Sequence, residues 1–528
     1  MRFHKLLRRE LLSLPFAMTA SAASGPAVIR SAAGVTAGGV TIDTLLTPGD
    51  GDYNASKQRV LLIGGVDGDR ASSRAVEAAF EWFQSGRASA YRKRFVISAV
   101  PLASPEGKSE ASFPPTGEYY GGCPDMAAGY LWRWTGMHAP DLVVQVSAGD
   151  AGRSDSLVRQ LPRVAACNTG TIPARLVPVA TGFLPRLLAE LSKTGPLPPS
   201  PARVEIQRRI ARKPDEVARQ LSKKYGHDLK EAVYIPALAL IARLKMGHRE
   251  DVERIVAPYV SGQKDSLEKA SGSHLSGHLI FGELARSTGN PRYLQLAKAA
   301  ADLGFDAQGR PLESMPMHME MSDSVFMGCP ILAQVGRLTG DAKYFDMCLR
   351  HMRFMLKLNL RRDGLHRHSP LDETAWGRGN GFPALGLSLS LSELPTEYPG
   401  RAEMLTAFRA HMAALLPHQD QVTGAWHQVV DHKGSYRELT ATCAISFAML
   451  RGVRAGWLER ARYQPVIDRA WYAVKSRVAA NGELVDVCTG TGKQKSLREY
   501  LNRTALLGED PRGGGMSIML AAEMARPA

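Results

Sequence analysis

Cysteine is scarce in this chain. Six cysteines (Cys123, Cys167, Cys329, Cys348, Cys443, Cys488) are scattered over 528 residues, and no two form a CxxC pair. That spacing excludes the short-looped metal sites built from cysteine, and the sequence calls for no cofactor. A chain this long does not depend on disulfides, so the cysteines read as mostly buried small apolar residues. Long apolar runs are also missing: beyond the first twenty or so residues nothing could span a bilayer, which excludes stable membrane insertion. No dense basic tract with interleaved aromatics occurs either, which argues against nucleic acid as a partner despite a net charge of +15.

The amino terminus is distinctive. Arg2, Lys5, Arg8 and Arg9 precede a mostly apolar stretch from Leu11 to Met18, and small residues follow through Ala20–Ala23. This is the outline of a signal peptide over residues 1–22, cleaved after Ala22. The Arg8–Arg9 pair gives it a twin-arginine character. The expected location is therefore exported, periplasmic or extracellular. Removal of 1–22 takes four basic residues and one acidic one and leaves a net charge of +12. A basic exported surface suits anionic lipid or an acidic polysaccharide.

Two halves follow with different periods. Val60–Ile63, Phe95–Val100 and Leu142–Val146 read as buried strands, with a helical stretch from Ser73 to Phe83 between the first two. This order predicts an α/β layered domain over residues 40–195. Gly195–Pro201 holds four prolines in seven residues, so 196–202 is expected to be a linker. Residues 203–528 read as nearly all helix. Within them Ala285–Tyr293 matches Gly336–Tyr344 at a period of 51 residues. In each copy a helix ends at Thr-Gly, where glycine supplies a left-handed cap, and the next helix brings a Tyr back against it. Repeated helical hairpins of this length stack into a solenoid or close into an α/α toroid.

One heptapeptide, Trp376-Gly377-Arg378-Gly379-Asn380-Gly381-Phe382, places an aromatic, a cation and an amide among three glycines. Glycine permits close approach, a guanidinium fork matches a carboxylate, and an aromatic offers a sugar a flat face. A loop entering a helix around one buried Trp is the plainer alternative.

Several ordered motifs add to this. They are Met321–Met327, Asp363–His368, the heptapeptide, Gly424–Val429, Tyr436–Thr442, Arg451–Leu458, Gly490–Gly492 and Gly513–Gly515. On these the segment from 203 onward resembles glycoside hydrolase family 105, the unsaturated rhamnogalacturonyl hydrolases, and more distantly family 88. The resemblance implies a multidomain chain whose second part is an all-α (α/α)6 barrel with its site in the central cavity. The first half resembles a zinc carboxypeptidase that has lost its metal. Asp67, Arg70 and Ser147 stand at the ligand positions, and only Asp67 could still bind zinc. A scaffold or sugar-binding role is expected there instead of peptidase activity.

The implied substrate is an acidic oligosaccharide ending in a Δ4,5-unsaturated uronic acid. An acid protonates C4, water adds at C5, and the resulting hemiketal opens and expels the aglycone. That chemistry needs one well-placed acid more than a flanking carboxylate pair. Asp323 aligns with the catalytic Asp of the family; a helix N-cap is its alternative reading. An acid working near neutrality needs an apolar setting to keep its proton, which Phe326 and Met327 are placed to give. The resemblance makes Arg378 the partner of the substrate carboxylate. Trp376 and Trp426 are stacking candidates, His368 a contact to sugar hydroxyls, and Asn380 an orienter of the loop. Phe382 replaces the usual second Trp, and Met321 the aromatic before the acid. Where the family often has a second Asp, Ser271–Gly277 has no carboxylate, which leaves His274 as its substitute. A non-catalytic binding protein or another barrel enzyme are the alternatives.

Overall fold

Short β-branched runs alternating with a helical period build the first unit. The computed structural model describes residues 27–107, 111–116, 125–149 and 154–527; the expected signal peptide and Cys123 lie outside them. Six strands, β1 (Ile29–Val35), β2 (Thr41–Leu46), β3 (Gln58–Ile63), β4 (Phe95–Val100), β5 (Leu142–Ser147) and β6 (Ala174–Pro178), form one sheet in the order β1-β2-β4-β3-β5-β6. The β1–β2 and β2–β4 pairs are antiparallel and the rest parallel. Every residue of β3 and β4 is buried, as expected of strands covered on both faces. The sheet starts at Ile29, well before residue 40, because β1 pairs with β2 along its length.

The helices of this unit are α1 (Arg70–Gln84), α2 (Ser89–Arg92), α3 (Met126–His138), α4 (Leu157–Gln160) and α5 (Phe183–Lys193). One face of the sheet packs Val60, Leu62, Ile97 and Val144 against Phe80 and Phe83 of α1 and Leu184 and Leu188 of α5. The proline-rich stretch is shorter than the expected linker. Pro201 already opens α6 (Pro201–Ala211), with the Ser200 hydroxyl accepting from the Arg203 N–H at 3.1 Å. Proline at the first helical position gives up only an N–H that the helix would leave unbonded.

The remaining helices are α7 (Pro214–Ser222), α8 (Tyr234–Lys245), α9 (Arg249–Val260), α10 (Gly272–Gly277), α11 (Leu279–Thr288), α12 (Pro291–Asp302), α13 (Ser324–Thr339), α14 (Ala342–Asn359), α15 (Gly377–Glu393), α16 (Arg401–Leu415), α17 (Leu439–Arg454), α18 (Arg460–Arg477), α19 (Leu497–Leu501) and α20 (Pro511–Ala525). Packing closes α8, the α10–α11 pair, α13, α15, α17 and α20 into a ring, each against the next and α20 back on α8. Outside it lie α9, α12, α14, α16, α18 and α7. The 51-residue repeat is one hairpin of this double ring. Gly289 and Gly340 end α11 and α13 with φ of 71° and 72°, Asn290 and Asp341 cap the next helices, and Tyr293 and Tyr344 are buried. A small hairpin of β7 (Leu484–Cys488) and β8 (Ala505–Gly508) interrupts the helices. Each of the five described cysteines is a buried free thiol.

The second face of the sheet is not covered by its own helices alone. Leu61, Ile63 and Val143 share one core with Trp132 of α3 and Ile206 of α6, and that core continues into Trp376, Val429, Tyr436, Cys488 and Tyr500 of the helical unit. Polar contacts follow the same seam. Arg437 donates to the Ala32 carbonyl at 2.7 Å, to the Ser31 hydroxyl at 3.0 Å and to Asp420 at 2.8 Å. Arg133 of α3 donates to the Ala505 carbonyl at 2.9 Å. Burial alone would raise the Asp420 carboxyl, but Arg437 and His427 outweigh it and hold it well below the usual carboxylate range.

Removing one partner of a buried pair strands the other charge. Asp420→Asn is therefore expected to cost about 3–5 kcal/mol of stability, read as an earlier urea unfolding midpoint. Because the folded-state value is depressed, the Asp420 contribution is present above the ordinary carboxylate range and is lost as pH falls below it. The gap between wild type and variant should accordingly narrow on acidification.

Candidate active site

The ring sets the amino-terminal ends of its inner helices at one end. Tyr234, His274, Asp323, Arg378, Thr440 and Arg512 all lie in the first turn or at the cap of an inner helix. Positive helix ends favour anions there.

Asp323 occupies the cap position of α13 but does not act as a cap. Its backbone is helical (φ −50°, ψ −31°) and its side chain accepts no bond from the helix. The Oδ1 atom is buried without a hydrogen-bond partner. It faces His368 Nε2 at 3.3 Å without a well-formed hydrogen bond. The side chain is 12% exposed, so one edge reaches solvent. Buried carboxylate oxygens are nearly always bonded, and an unbonded one beside an imidazole is arranged for something else.

The segment before it is strained. Met317, Met319 and Glu320 have φ of 61°, 49° and 57°, a left-handed conformation that costs non-glycine residues of order 1–3 kcal/mol each. Surrounding bonds hold it: Asn359 Nδ2 donates to the Glu320 carbonyl at 3.1 Å, and Ser324 Oγ to that of His318 at 2.8 Å.

His368 is fully buried between Asp323 and Tyr500. Its Nδ1 lies 2.9 Å from the Tyr500 hydroxyl, which accepts from the Gln494 N–H at 3.3 Å. With the phenolic hydrogen directed to Nδ1, the ring hydrogen stands on Nε2, toward Asp323. Burial, above all, raises the Tyr500 phenol; the Gln494 N–H opposes this and the Asp323 charge adds to it. Tyr500 was not among the candidates, and nothing in Glu499-Tyr500-Leu501 marks it.

The heptapeptide forms the first turns of α15, not a loop. Gly379 is essential to the approach. A Cβ there would stand 3.1 Å from Ser322 Oγ, 3.1 Å from the Trp376 ring and 3.3 Å from the His368 ring, and Ser322 Oγ donates to the Gly379 carbonyl at 2.7 Å. Trp376 is 1% exposed, with its ring centre 4.4 Å from that of His368 and the Arg378 guanidinium 4.6 Å from its own. Asn380 orients the preceding turn, exchanging bonds of 2.8 Å with the backbone of His366.

Other expectations change. Arg378 sits inside the wall, donating to the carbonyls of Cys488 at 2.7 Å and Thr489 at 2.8 Å and to Thr440 Oγ1 at 3.3 Å; only Nε lacks a partner. Burial works against its charge, but the ionisable groups around it, the Cys488 thiol, the Tyr234 phenol and the carboxyls of Glu438 and Asp323, more than offset that. Trp426 offers no face to a sugar: it is fully buried and its Nε1 donates to the Leu415 carbonyl at 2.9 Å. Phe382 is core as well, stacked on Phe326 at 5.5 Å and edge-on to Tyr234 at 5.5 Å; a ring with apolar partners on both sides cannot also take a ligand. His274 spends Nδ1 on Ser271, whose N–H lies at 3.2 Å, and burial lowers its basicity. Glu438 buttresses the wall, accepting from the N–H groups of Thr440, Ala441 and Cys488. Among the described residues no cluster of three or more His, Cys, Asp or Glu is placed to hold a metal ion.

Comparison with known proteins now separates the possibilities. The profile of Glycosyl Hydrolase Family 88 matches residues 203–528. The chain belongs to that family. It is a glycoside hydrolase, and the double helical ring carries the family match. Relatives of this family 88 chain include an unsaturated rhamnogalacturonyl hydrolase of Bacillus subtilis, 24% identical over 275 residues, covering 48% of this chain and 76% of that one. An unsaturated 3S-rhamnoglycuronyl hydrolase of Formosa agariphila is 28% identical over 174 residues, covering 29% of this chain and 45% of that one. A possible GH105 member from Klebsiella pneumoniae shares the fold, with a TM-score of 0.51 at 21% identity, covering 61% of this chain and 93% of that one.

The contact at Gly379 gives a direct test. Its neighbours Ser322, Trp376 and His368 are buried on every side, and overpacking of this kind costs about 1–3 kcal/mol. Gly379→Ala should lower the thermal midpoint although alanine is the better helix former.

Proposed function

We propose that this family 88 enzyme removes a Δ4,5-unsaturated uronic acid from the non-reducing end of acidic oligosaccharides left by a polysaccharide lyase. Asp323 gives its proton to C4 of the vinyl ether, water adds to C5, and the hemiketal opens with loss of the aglycone. The observation that carries this reading is Asp323 at a helix cap position without capping, one oxygen unbonded and His368 beside it. His368 holds that carboxyl and is held in turn by Tyr500. Arg378 acts from within the wall: its charge and the surrounding helix ends attract the substrate carboxylate, and its fork keeps β7 against α15. Trp376 fixes both His368 and Arg378 by packing between them. The named activities of the Bacillus and Formosa relatives support the substrate class.

We further read residues 1–22 as an export signal and the α/β unit as a carboxypeptidase-like scaffold without peptidase activity. Arg70 begins α1 and Ser147 ends β5, and neither is a zinc ligand.

Loss of ultraviolet absorbance by the C4=C5 bond follows the reaction directly. With a panel of lyase-generated oligosaccharides the wild type should bleach the band, and Asp323→Asn should slow this by about 10²–10⁴-fold, the usual share of a general acid. Full bleaching by the variant, or none by the wild type with any member of the panel, would overturn the assignment.

A further inference from the structure

The two ends of the helical ring differ. At the end opposite Asp323, where the inner helices finish, a basin of about 420 Å3 opens. That lies within the roughly 300–1,000 Å3 of sites for small organic ligands. All the inner walls contribute to it: α8, α11, α13, α15, α17 and α20. Its floor is apolar, made by Leu238, Ile241, Leu279, Leu389, Phe447 and Met519, and its rim is charged.

The polar groups near the floor are already spent. Gln334 Nε2 donates to the Leu279 carbonyl at 3.3 Å and to Glu283 at 3.4 Å, and its Oε1 lies against Gly282. Ser392 Oγ donates to the Ser388 carbonyl at 2.8 Å and accepts from Arg451 at 3.1 Å. A sugar needs a hydrogen-bond partner for each hydroxyl it buries, so this floor does not suit one. It suits an apolar body.

The rim is uneven. On the side of α11 and α15, Arg286 pairs with Glu393 at 2.7 Å and with Glu283 at 3.5 Å. On the side of α8, α17 and α20 the buried Glu523 is divided among Arg451 at 3.4 Å, Arg454 at 3.2 Å and Arg526 at 3.3 Å. Arg451 Nε has no partner. Lys245, at the end of α8, makes neither hydrogen bond nor ion pair among the described residues. Helix carboxyl ends favour cations, which accounts for their presence here but gives Lys245 no partner. Lys245 keeps an accessible surface, yet burial by the surrounding protein lowers its pKa; Glu283 opposes this and Arg451 adds to it. An anion beside it would offset that cost.

We propose that the basin binds a small organic carboxylate with an apolar body, an arylalkanoic or medium-chain alkanoic acid, its charge on Lys245 and Arg526 and its body on the apolar floor. The uneven rim sets the sign of the ligand's charge, and the floor sets the character of the rest. The basin shares no residue with the site at Asp323, so the proposal stands apart from the reaction assigned there.

The test titrates the full chain by calorimetry, at fixed ionic strength, with sodium 3-phenylpropanoate, sodium octanoate, 3-phenylpropan-1-ol and sodium glucuronate. At least one of the two apolar carboxylates should bind saturably, and the tighter one tells an aryl from an alkyl body. The alcohol lacks the charge and should bind about tenfold more weakly or worse, the share of a hydrogen bond to a charged group. Lys245→Met, a change at an accessible position, should weaken carboxylate binding to the same extent. It should leave the ligand-free thermal midpoint and the rate of hydrolysis unchanged. The methyl resonance of Met519, assigned through Met519→Leu, should shift as the carboxylate binds. Absence of saturable carboxylate binding, an alcohol as tight as the acid, a Met519 methyl that does not move, or unchanged binding in Lys245→Met would each overturn the proposal. Glucuronate binding that Lys245→Met removes would reveal a sugar-acid site and overturn it too.

Discussion

The close approach of α15 to α13 is the contact on which the arrangement around Asp323 depends. At Gly386 a side chain would meet the Val325 carbonyl at 2.5 Å, and at Gly379 it would meet Ser322, Trp376 and His368. A glycine at each of these two points lets α15 lie so near its neighbour. That proximity allows Ser322 to bond to α15 and brings His368 to Asp323. Move α15 outward by the width of a methyl group and the packing that sets His368 beside Asp323 is lost.

Around this contact the wall is arranged in depth. Asp323 keeps a partly exposed edge, His368 lies buried beside it, Trp376 and Arg378 lie behind, and Glu438, Cys488 and Tyr500 stand behind those. The outer groups use backbone carbonyls and N–H groups as partners, which fixes them to helix ends and to β7. Polar side chains near a reacting centre can be held rigid in this way without competing for the substrate.

The sequence made some of this legible and hid the rest, for physical reasons. Strands β3 to β5 and the hairpin repeat were readable because their causes are local: apolar runs for the strands, and Thr-Gly followed by a polar cap for the helices. The heptapeptide was readable as a place of close approach because three glycines in five positions have few other uses. Its individual roles were not. Nothing in the identity of Arg378, Trp426 or Phe382 says that the fold would turn carbonyl groups or apolar rings toward them. The proline-rich linker was misjudged at its end because proline is as suited to opening a helix as to preventing one. Least visible was the seam between the units, where a hydrogen bond joins Arg437 to the Ala32 carbonyl 405 positions away.

That separation governs how the protein must come into being. A chain grows from its amino terminus, and its leading sheet is complete in sequence long before α17 exists. Until then one face of that sheet, with Leu61, Ile63 and Val143, lacks part of its cover. Contacts so distant are slow to close, and exposed apolar faces invite aggregation meanwhile. The sheet's second face is thus a surface whose cover is encoded in the far half of the chain.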